Sequence, residues 1–256
     1  MLRGTITIAM LQDRPGTGIR PAFLDILDRT SLDILALPEY YFVEPCDESV
    51  LASCFRKDSV LNQLKEISSV LNCALIGGSL VEHIDGAFYN RSYLIDSGNI
   101  AGHYDKIHPY DNEGRGLIRP GNEYRVFPVR GIRIGILVCA DVLYPDSFSN
   151  IRGLSPDLIF VPTTSPYREN ESRPTKLKRD HRLFARGAET AGAFIYKACA
   201  SGRIAGHRLQ GRSLIASPGK IEWRIPPEQE DRSALIVSRL NIFKSGHRLD
   251  IEVYWE

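Results

Sequence analysis

Apolar positions along the chain fall into two kinds of run. Short stretches that read as strands recur at 5–11, 33–38, 73–79, 89–96, 132–139, 157–162, 194–200, 211–216 and 234–240. Three of them, 33–38, 132–139 and 157–162, are mostly aliphatic or β-branched runs of the kind that mark strands buried on both faces, as in sheets covered by helices. Elsewhere the apolar positions shift to helical spacing. Phe23, Leu24, Ile26 and Leu27 do so within 21–29, a longer stretch covers 48–70, and Leu177, Leu183, Phe184 and Ala188 share one side of 173–193. Strands interleaved with helices predict an α/β fold. An extended segment at 100–108 runs into a long polar loop, 109–121, rich in Gly and charge. Loops of that length in compact domains are usually functional or disordered. The residues after 240 read as a C-terminal tail ending in Tyr254 and Trp255.

Two segments echo each other. Ser31-Leu-Asp-Ile-Leu-Ala-Leu-Pro38 has the pattern of Ser155-Pro-Asp-Leu-Ile-Phe-Val-Pro162, and each precedes a helical stretch and another strand. The match hints at two similar α/β halves, although an Asp-strand-Pro pattern is easily written twice by chance. No low-complexity linker divides the chain, so residues 1–256 are expected to form a single domain.

Composition narrows the picture by exclusion. The 256 residues are 43% hydrophobic and 25% charged, ordinary for a globular protein, and the net charge of +1 gives no reason to expect nucleic acid as a partner. The five cysteines form no C-x-x-C pair and are odd in number, which argues against a zinc site or a disulfide framework and for a reducing, cytoplasmic setting. The N-terminal apolar run reads as a first strand rather than a signal peptide, and no stretch is long enough for a membrane span. His103 and His108 flank Lys106 without Asp or Cys at ligand spacing, so no metal is expected.

Candidate chemistry sits where strands end. The run 132–139 stops at Cys139, and Asp141, Pro145 and Asp146 follow at once. A thiol at the carboxyl end of a buried strand lies where open α/β sheets place their chemistry. The turn can point the N–H of Ala140 at a bound carbonyl. Glu39 directly follows the strand 33–38, and Lys106 lies near the end of 100–108. If those ends converge, Glu39 takes the thiol proton and returns it to a leaving amine, general acid–base help worth roughly 100- to 10,000-fold. Lys106 stabilises a tetrahedral oxyanion and favours thiolate over thiol. Taken singly, each residue has a plainer reading: a packed thiol, a surface carboxylate and a solvated lysine.

The local sequences reverse that balance. Leu37-Pro38-Glu39, Tyr104-Asp-Lys106-Ile-His108 and Leu137-Val-Cys139-Ala-Asp141-Val-Leu-Tyr-Pro145-Asp146 resemble, in order and spacing, the signature segments of the nitrilase (carbon–nitrogen hydrolase) superfamily. The resemblance extends to Ile8-Ala-Met-Leu-Gln12, to 157–165, to the Arg- and Glu-bearing stretch 184–194, and to 213–219. It implies a four-layer α-β-β-α sandwich, a cofactor-free hydrolase with Glu39 as base, Lys106 as oxyanion group and Cys139 as nucleophile, and a homodimer or higher homo-oligomer. The implied substrate is a small-molecule amide or N-carbamoyl compound, cleaved through a covalent acyl-enzyme. Nitrile hydrolysis, acyl transfer to an amine, and a non-catalytic partner-binding sandwich are the competing readings.

A second glutamate is common in relatives between the Lys and the Pro-Gly turn. Glu113, before Pro120 and Gly121, is the candidate to hold Lys106, with Asp111 and Glu123 as fallbacks. Ala140 stands where true nitrilases typically carry tryptophan, which favours amides over nitriles, and Asp146 replaces a frequent glutamate. Tyr40, Tyr41 and Tyr144 are expected to wall the pocket, with Ala140, Tyr40 and Tyr144 contacting substrate. The basic segment 173–182 reads either as a solvated helix face or as the source of one cation that grips a substrate carboxylate.

Overall fold

The computed structural model describes residues 4–16, 18–110, 113–241 and 248–256. In chain order the first part forms β1 (Ile6–Gln12), α1 (Pro21–Asp28), β2 (Ile34–Ala36), α2 (Lys57–Val70), β3 (Ala74–Ile76), β4 (Leu80–Ile84), β5 (Ala87–Asp96) and β6 (Asn99–Asp105). There follow β7 (Val126–Val129), β8 (Ile132–Ile136), α3 (Pro145–Arg152), β9 (Leu158–Thr164), α4 (Arg173–Asp180), α5 (Arg186–Ala191) and β10 (Phe194–Ala200). The short strands β11 (Arg203–Ile204) and β12 (His207–Arg208), then β13 (Leu214–Ser217), β14 (Lys220–Arg224), β15 (Ala234–Asn241) and β16 (Arg248–Trp255), complete it.

Two sheets carry the fold. One runs β16-β15-β1-β2-β3-β5-β4 with β6 also on β5, and the other runs β14-β13-β10-β9-β8-β7. At the heart of each lies a parallel triplet, β1-β2-β3 and β8-β9-β10. The two-residue period of a strand sorts their side chains. Ile8, Met10, Ile34, Ala36 and Ile76 point into a core shared with Ile134, Ile136, Phe160 and Tyr196 of the second sheet. Across that core the hydroxyls of Ser238 (β15) and Tyr196 (β10) meet at 3.3 Å. The intervening Ala9, Leu11, Leu35 and Leu75 face outward onto Phe23 and Leu27 of α1 and Val60 and Leu64 of α2. Phe148 and Ile151 of α3 and Ala188 of α5 cover the second sheet. The result is the helix–sheet–sheet–helix layering expected, with each fully buried Leu or Ile contributing about 1.5–3 kcal/mol.

The echo has a physical basis. Asp33 accepts the Thr7 N–H on its carboxylate (2.8 Å) and donates its own N–H to the Thr7 carbonyl (2.9 Å). Asp157 treats Arg133 in the same way, at 2.8 Å for both bonds. Each aspartate thus pins the start of the central strand of a triplet to the strand beside it.

The helices depart from expectation at two places. The stretch 48–70 opens as a 3-10 turn, Val50–Arg56, before α2 begins, because the Ser49 hydroxyl accepts the Leu51 N–H (3.3 Å) and the buried Ser53 hydroxyl takes the Val81 N–H (3.3 Å). The stretch 173–193 is split by a π turn, His181–Ala185, which inserts a wider turn and still leaves Phe184 and Ala188 facing the core. β16, read as a tail, pairs with β15 along its length, from Ala234 opposite Trp255 to Asn241 opposite Arg248. Among the described residues no helix is long and apolar enough to cross a membrane.

Candidate active site

Three strand ends deliver the three candidate groups. After β2 the Leu37 N–H bonds the Ile76 carbonyl (3.0 Å), and the chain then turns through Pro38 and Glu39 to Tyr40, which sits at φ +54° with its N–H on the Ser79 carbonyl (3.1 Å). Gly78 makes room for this turn, since a Cβ there would lie 2.0 Å from the Pro38 carbonyl oxygen. Lys106 directly follows β6. Its N–H bonds the Asn90 carbonyl (2.9 Å), and its carbonyl takes the Gly121 N–H (2.8 Å). Cys139 leaves β8 at φ +46°, a conformation that costs a non-glycine residue about 1–2 kcal/mol, and opens the turn Cys139–Leu143.

Asp141 holds that turn in place. One carboxylate oxygen accepts the Val138 N–H and the Tyr104 hydroxyl, and the other accepts the His108 N–H, all at 2.8 Å. It therefore ties the cysteine turn to the strand and loop on either side of Lys106. Burial pushes the Asp141 carboxyl above its ordinary value against the pull of these donors and of Lys106.

The Lys106 ammonium, 2% exposed, lies between two carboxylates, 2.8 Å from Glu39 Oε1 and 2.7 Å from Glu113 Oε2. Burial opposes its charge, but Glu39, Cys139 and Glu113 outweigh burial and raise its pKa. Glu113 moves the other way: burial raises it, yet Lys106 and the hydroxyl of Tyr40 bring it below its usual value. Glu39 Oε2 accepts the backbone N–H (2.9 Å) and the hydroxyl (2.5 Å) of Thr164 at the end of β9. Asn90 in β5 donates its amide to Glu39 Oε1 (3.0 Å) and Glu113 Oε1 (2.6 Å).

The partly buried Cys139 sulfur donates to the Thr164 carbonyl at 3.2 Å. Burial and the Glu39 carboxylate push its thiol well above the ordinary value, while Lys106 pulls it down by less. The expectation that Lys106 would favour a resting thiolate is thus outweighed, by burial of the sulfur first and by the Glu39 carboxylate after it. A neutral thiol beside a carboxylate, with an ammonium alongside, suits attack on a carbonyl with proton transfer to the carboxylate.

Residues 24–235 match the family model for carbon-nitrogen hydrolases. The chain belongs to the carbon–nitrogen hydrolase family. It is 27% identical over 132 residues to an (R)-stereoselective amidase of a Pseudomonas species, covering 50% of this chain and 47% of that protein. It is 25% identical over 201 residues to a Pseudomonas protegens protein known as the hydrolase in the pqqF 5′ region, covering 75% and 67%. Against the solved structure of an amidase from a Nesterenkonia species it reaches a TM-score of 0.76 at 22% identity, over 94% of this chain and 92% of the other. The chain thus spans about half the length of the first relative and two thirds of the second.

In this member of the family the expected site residues come together unevenly. Glu39, Lys106, Glu113 and Cys139 share one constellation. Tyr40 is buried and spends its hydroxyl on Glu113 Oε1 (2.6 Å), so it braces the second glutamate. Ala140 is buried in the turn beside the sulfur. Tyr144 is 46% exposed and stacks on His108, ring centroids 3.9 Å apart. Tyr41 turns away into the outer core, donating to Asp13 (3.1 Å) and the Gly18 carbonyl (2.9 Å), and does not wall the pocket. Of the fallbacks, Glu123 is an exposed partner of Arg125, and Asp111 lies outside the described residues. The basic segment divides its labour: Lys176 pairs with Glu230 (2.5 Å) and Arg179 with Glu171, while Arg173 and Lys178 face solvent. No metal-holding group of three or more His, Cys, Asp and Glu occurs among the described residues.

Sequence reasoning missed Asn90 and Thr164 and gave Asp141 no role. A faint signal existed: Asn90, Arg91 and Ser92 interrupt the apolar positions of 89–96, and polar residues buried in a strand require partners.

Proposed function

We propose that this protein is an amidase that hydrolyses small-molecule amides at non-peptide C–N bonds, with Cys139 as nucleophile, Glu39 as general base and then acid, and Lys106 as oxyanion stabiliser. The observation that carries this reading is the Lys106 ammonium clamped between Glu39 and Glu113 with the Cys139 thiol facing the same carboxylate. As Sγ attacks the carbonyl carbon, its proton passes to Glu39 and the carbonyl π pair moves onto oxygen, where Lys106 and the Ala140 N–H receive it. Removal of one such donor typically costs about 3–4 kcal/mol of barrier. The C–N bond then breaks, its electron pair stays on nitrogen, and the proton held by Glu39 completes the departing amine or ammonia. Water attacks the thioester with Glu39 again taking the proton, and the carboxylic acid product leaves with the thiol restored.

Glu113 does not reach the sulfur in this account. It balances the lysine and, through Asn90 and Tyr40, fixes where the ammonium points. Short aliphatic amides are the first substrates to try. Mutants of the Nesterenkonia amidase have been captured with acrylamide, with butyramide, and with the acetamide moiety of fluoroacetamide joined to the active-site cysteine.

Ammonia release across a panel of short amides, N-carbamoyl amino acids and nitriles tests the reading. Turnover of amides that vanishes in Cys139→Ala and Cys139→Ser is expected. Fluoroacetamide should add to Cys139 and spare the exposed Cys46. Undiminished turnover in Cys139→Ala refutes the assignment.

A further inference from the structure

The hydrogen bonds around Glu39 leave its carboxylate without a free lone pair. Oε1 takes Lys106 Nζ (2.8 Å) and Asn90 Nδ2 (3.0 Å), and Oε2 takes the N–H (2.9 Å) and the hydroxyl (2.5 Å) of Thr164. An ionised carboxylate offers about four lone-pair sites, so the group that must receive the thiol proton is already saturated. Three of the four donors are fixed. Lys106 and Asn90 each bridge to Glu113, and the Thr164 N–H belongs to the backbone. Only the hydroxyl can turn without moving a heavy atom. Thr164 also holds the other end of the transfer, because its carbonyl accepts the Cys139 S–H at 3.2 Å.

We propose that Thr164 is a positioning residue for proton transfer between Cys139 and Glu39, its hydroxyl occupying Oε2 at rest and turning to admit the thiol proton. The proposal rests on the reading of Glu39 as the base. In the transfer the S–H bond breaks, its electron pair forms the bond from sulfur to the carbonyl carbon, and its proton arrives on Oε2. The contact between Oε2 and the hydroxyl then persists with its direction reversed: the new carboxylic O–H donates to Thr164 Oγ1. The charged and titratable groups facing Glu39 are Tyr40 from the turn after β2, Lys106 from the end of β6, Glu113 from the following loop, Cys139 from the turn after β8, and Cys199 in β10; Asn90 and Thr164 are neutral.

The test needs no turnover. Alkylation of Cys139 by iodoacetamide is followed against pH by peptide mass spectrometry, which counts the other cysteines apart, alongside kcat/KM for any amide that is turned over. Thr164→Val keeps the shape and the backbone bond but loses the hydroxyl, and should move the acid limb of the profile up by about one pH unit. Thr164→Ser should return the limb to its wild-type place. Thr164→Ala makes the same forecast as valine should the second methyl pack poorly against the carboxylate. Glu39→Gln should leave only the rise that follows the thiol's own ionisation, and Thr164→Val on that background should move nothing further. A limb that stays put in Thr164→Val and Thr164→Ala, a uniform loss at every pH, or an equal shift by Thr164→Val on the Glu39→Gln background overturns the proposal. If the limb moves as expected while no amide is hydrolysed, Thr164 keeps its role and the hydrolase reading is what fails.

Discussion

Lys106→Met separates the lysine's structural work from its chemistry. The ammonium sits 2.8 Å from one carboxylate and 2.7 Å from another, and all three side chains are at most 7% exposed. Breaking a buried ion pair from one side costs about 3–5 kcal/mol. Here two carboxylates are orphaned by a single change, with only the Asn90 amide bridging them, so the upper end, about 5 kcal/mol at pH 8, is expected. That is a large share of the roughly 5–15 kcal/mol by which domains are stable. The loss should depend on pH. Two carboxylates sharing a dry site cannot both stay ionised, so one acquires a folded-state pKa above its unfolded value of about 4.3. Such a group destabilises the fold at pH above that value, and the penalty fades as pH falls towards it. The wild type runs the other way. Lys106 holds Glu113 below its unfolded value, so the stability this lends is present above that value and disappears as pH falls through the depressed one. Urea unfolding of both proteins at pH 8 and pH 5 reads the difference. A loss under about 1 kcal/mol at pH 8, well short of any buried pair, or an equal loss at both pH values, refutes this account of the clamp.

Three further substitutions probe the turns that aim the site. Cys139→Gly should be at least as stable as Cys139→Ala, reversing glycine's usual penalty, because φ +46° strains any side chain by about 1–2 kcal/mol; an alanine variant that is clearly the more stable in urea contradicts it. Gly78→Ala puts a Cβ 2.0 Å from the Pro38 oxygen at a positive φ, and should lose about 2 kcal/mol or more along with most amide turnover as Glu39 shifts. Full activity in that variant would show that the 37–40 turn does not place the base. Asp141→Ala strips acceptors from the Val138 and His108 N–H groups and the Tyr104 hydroxyl, and should cost about 3 kcal/mol or more in chemical denaturation; a loss within about 0.5 kcal/mol, the range of ordinary surface changes, would deny Asp141 its anchoring role.

How far the sequence reaches depends on where each structural cause is stored. β1, β2, β8, β9 and β10 were legible because strands buried on both faces must be continuously apolar. β4, β7 and β14 were not, since short or peripheral strands carry only part of that signal. β16 did carry one. Leu249, Ile251, Val253 and Trp255 alternate with polar residues and pack on the inter-sheet core, a period-two pattern concealed by its place at the chain's end. At the site, Glu39, Lys106 and Cys139 were legible because each is fixed by its own strand end, a local property. Tyr41 was misplaced for the same reason in reverse: an aromatic next to the base is local information, but which way it turns is settled by Asp13 and Gly18, far off in the chain.

Asn90 and Thr164 were invisible because their work depends on what the two sheets bring face to face. The repeated Asp-strand-Pro segment explains how that happens. Asp33 and Asp157 start β2 and β9 in the same register against their neighbours, and each strand is the middle member of a parallel triplet. Stacking two such triplets brings the carboxyl ends of the middle strands together. Glu39 lies one residue past the proline of the first segment and Thr164 two past that of the second, and they meet through two hydrogen bonds to one carboxylate oxygen. The hold on Glu39 is therefore a consequence of the repeated segment. A substitution that slipped either central strand by one residue would turn its side chains to the opposite face and part Glu39 from Thr164, leaving the cysteine turn on β8 in place.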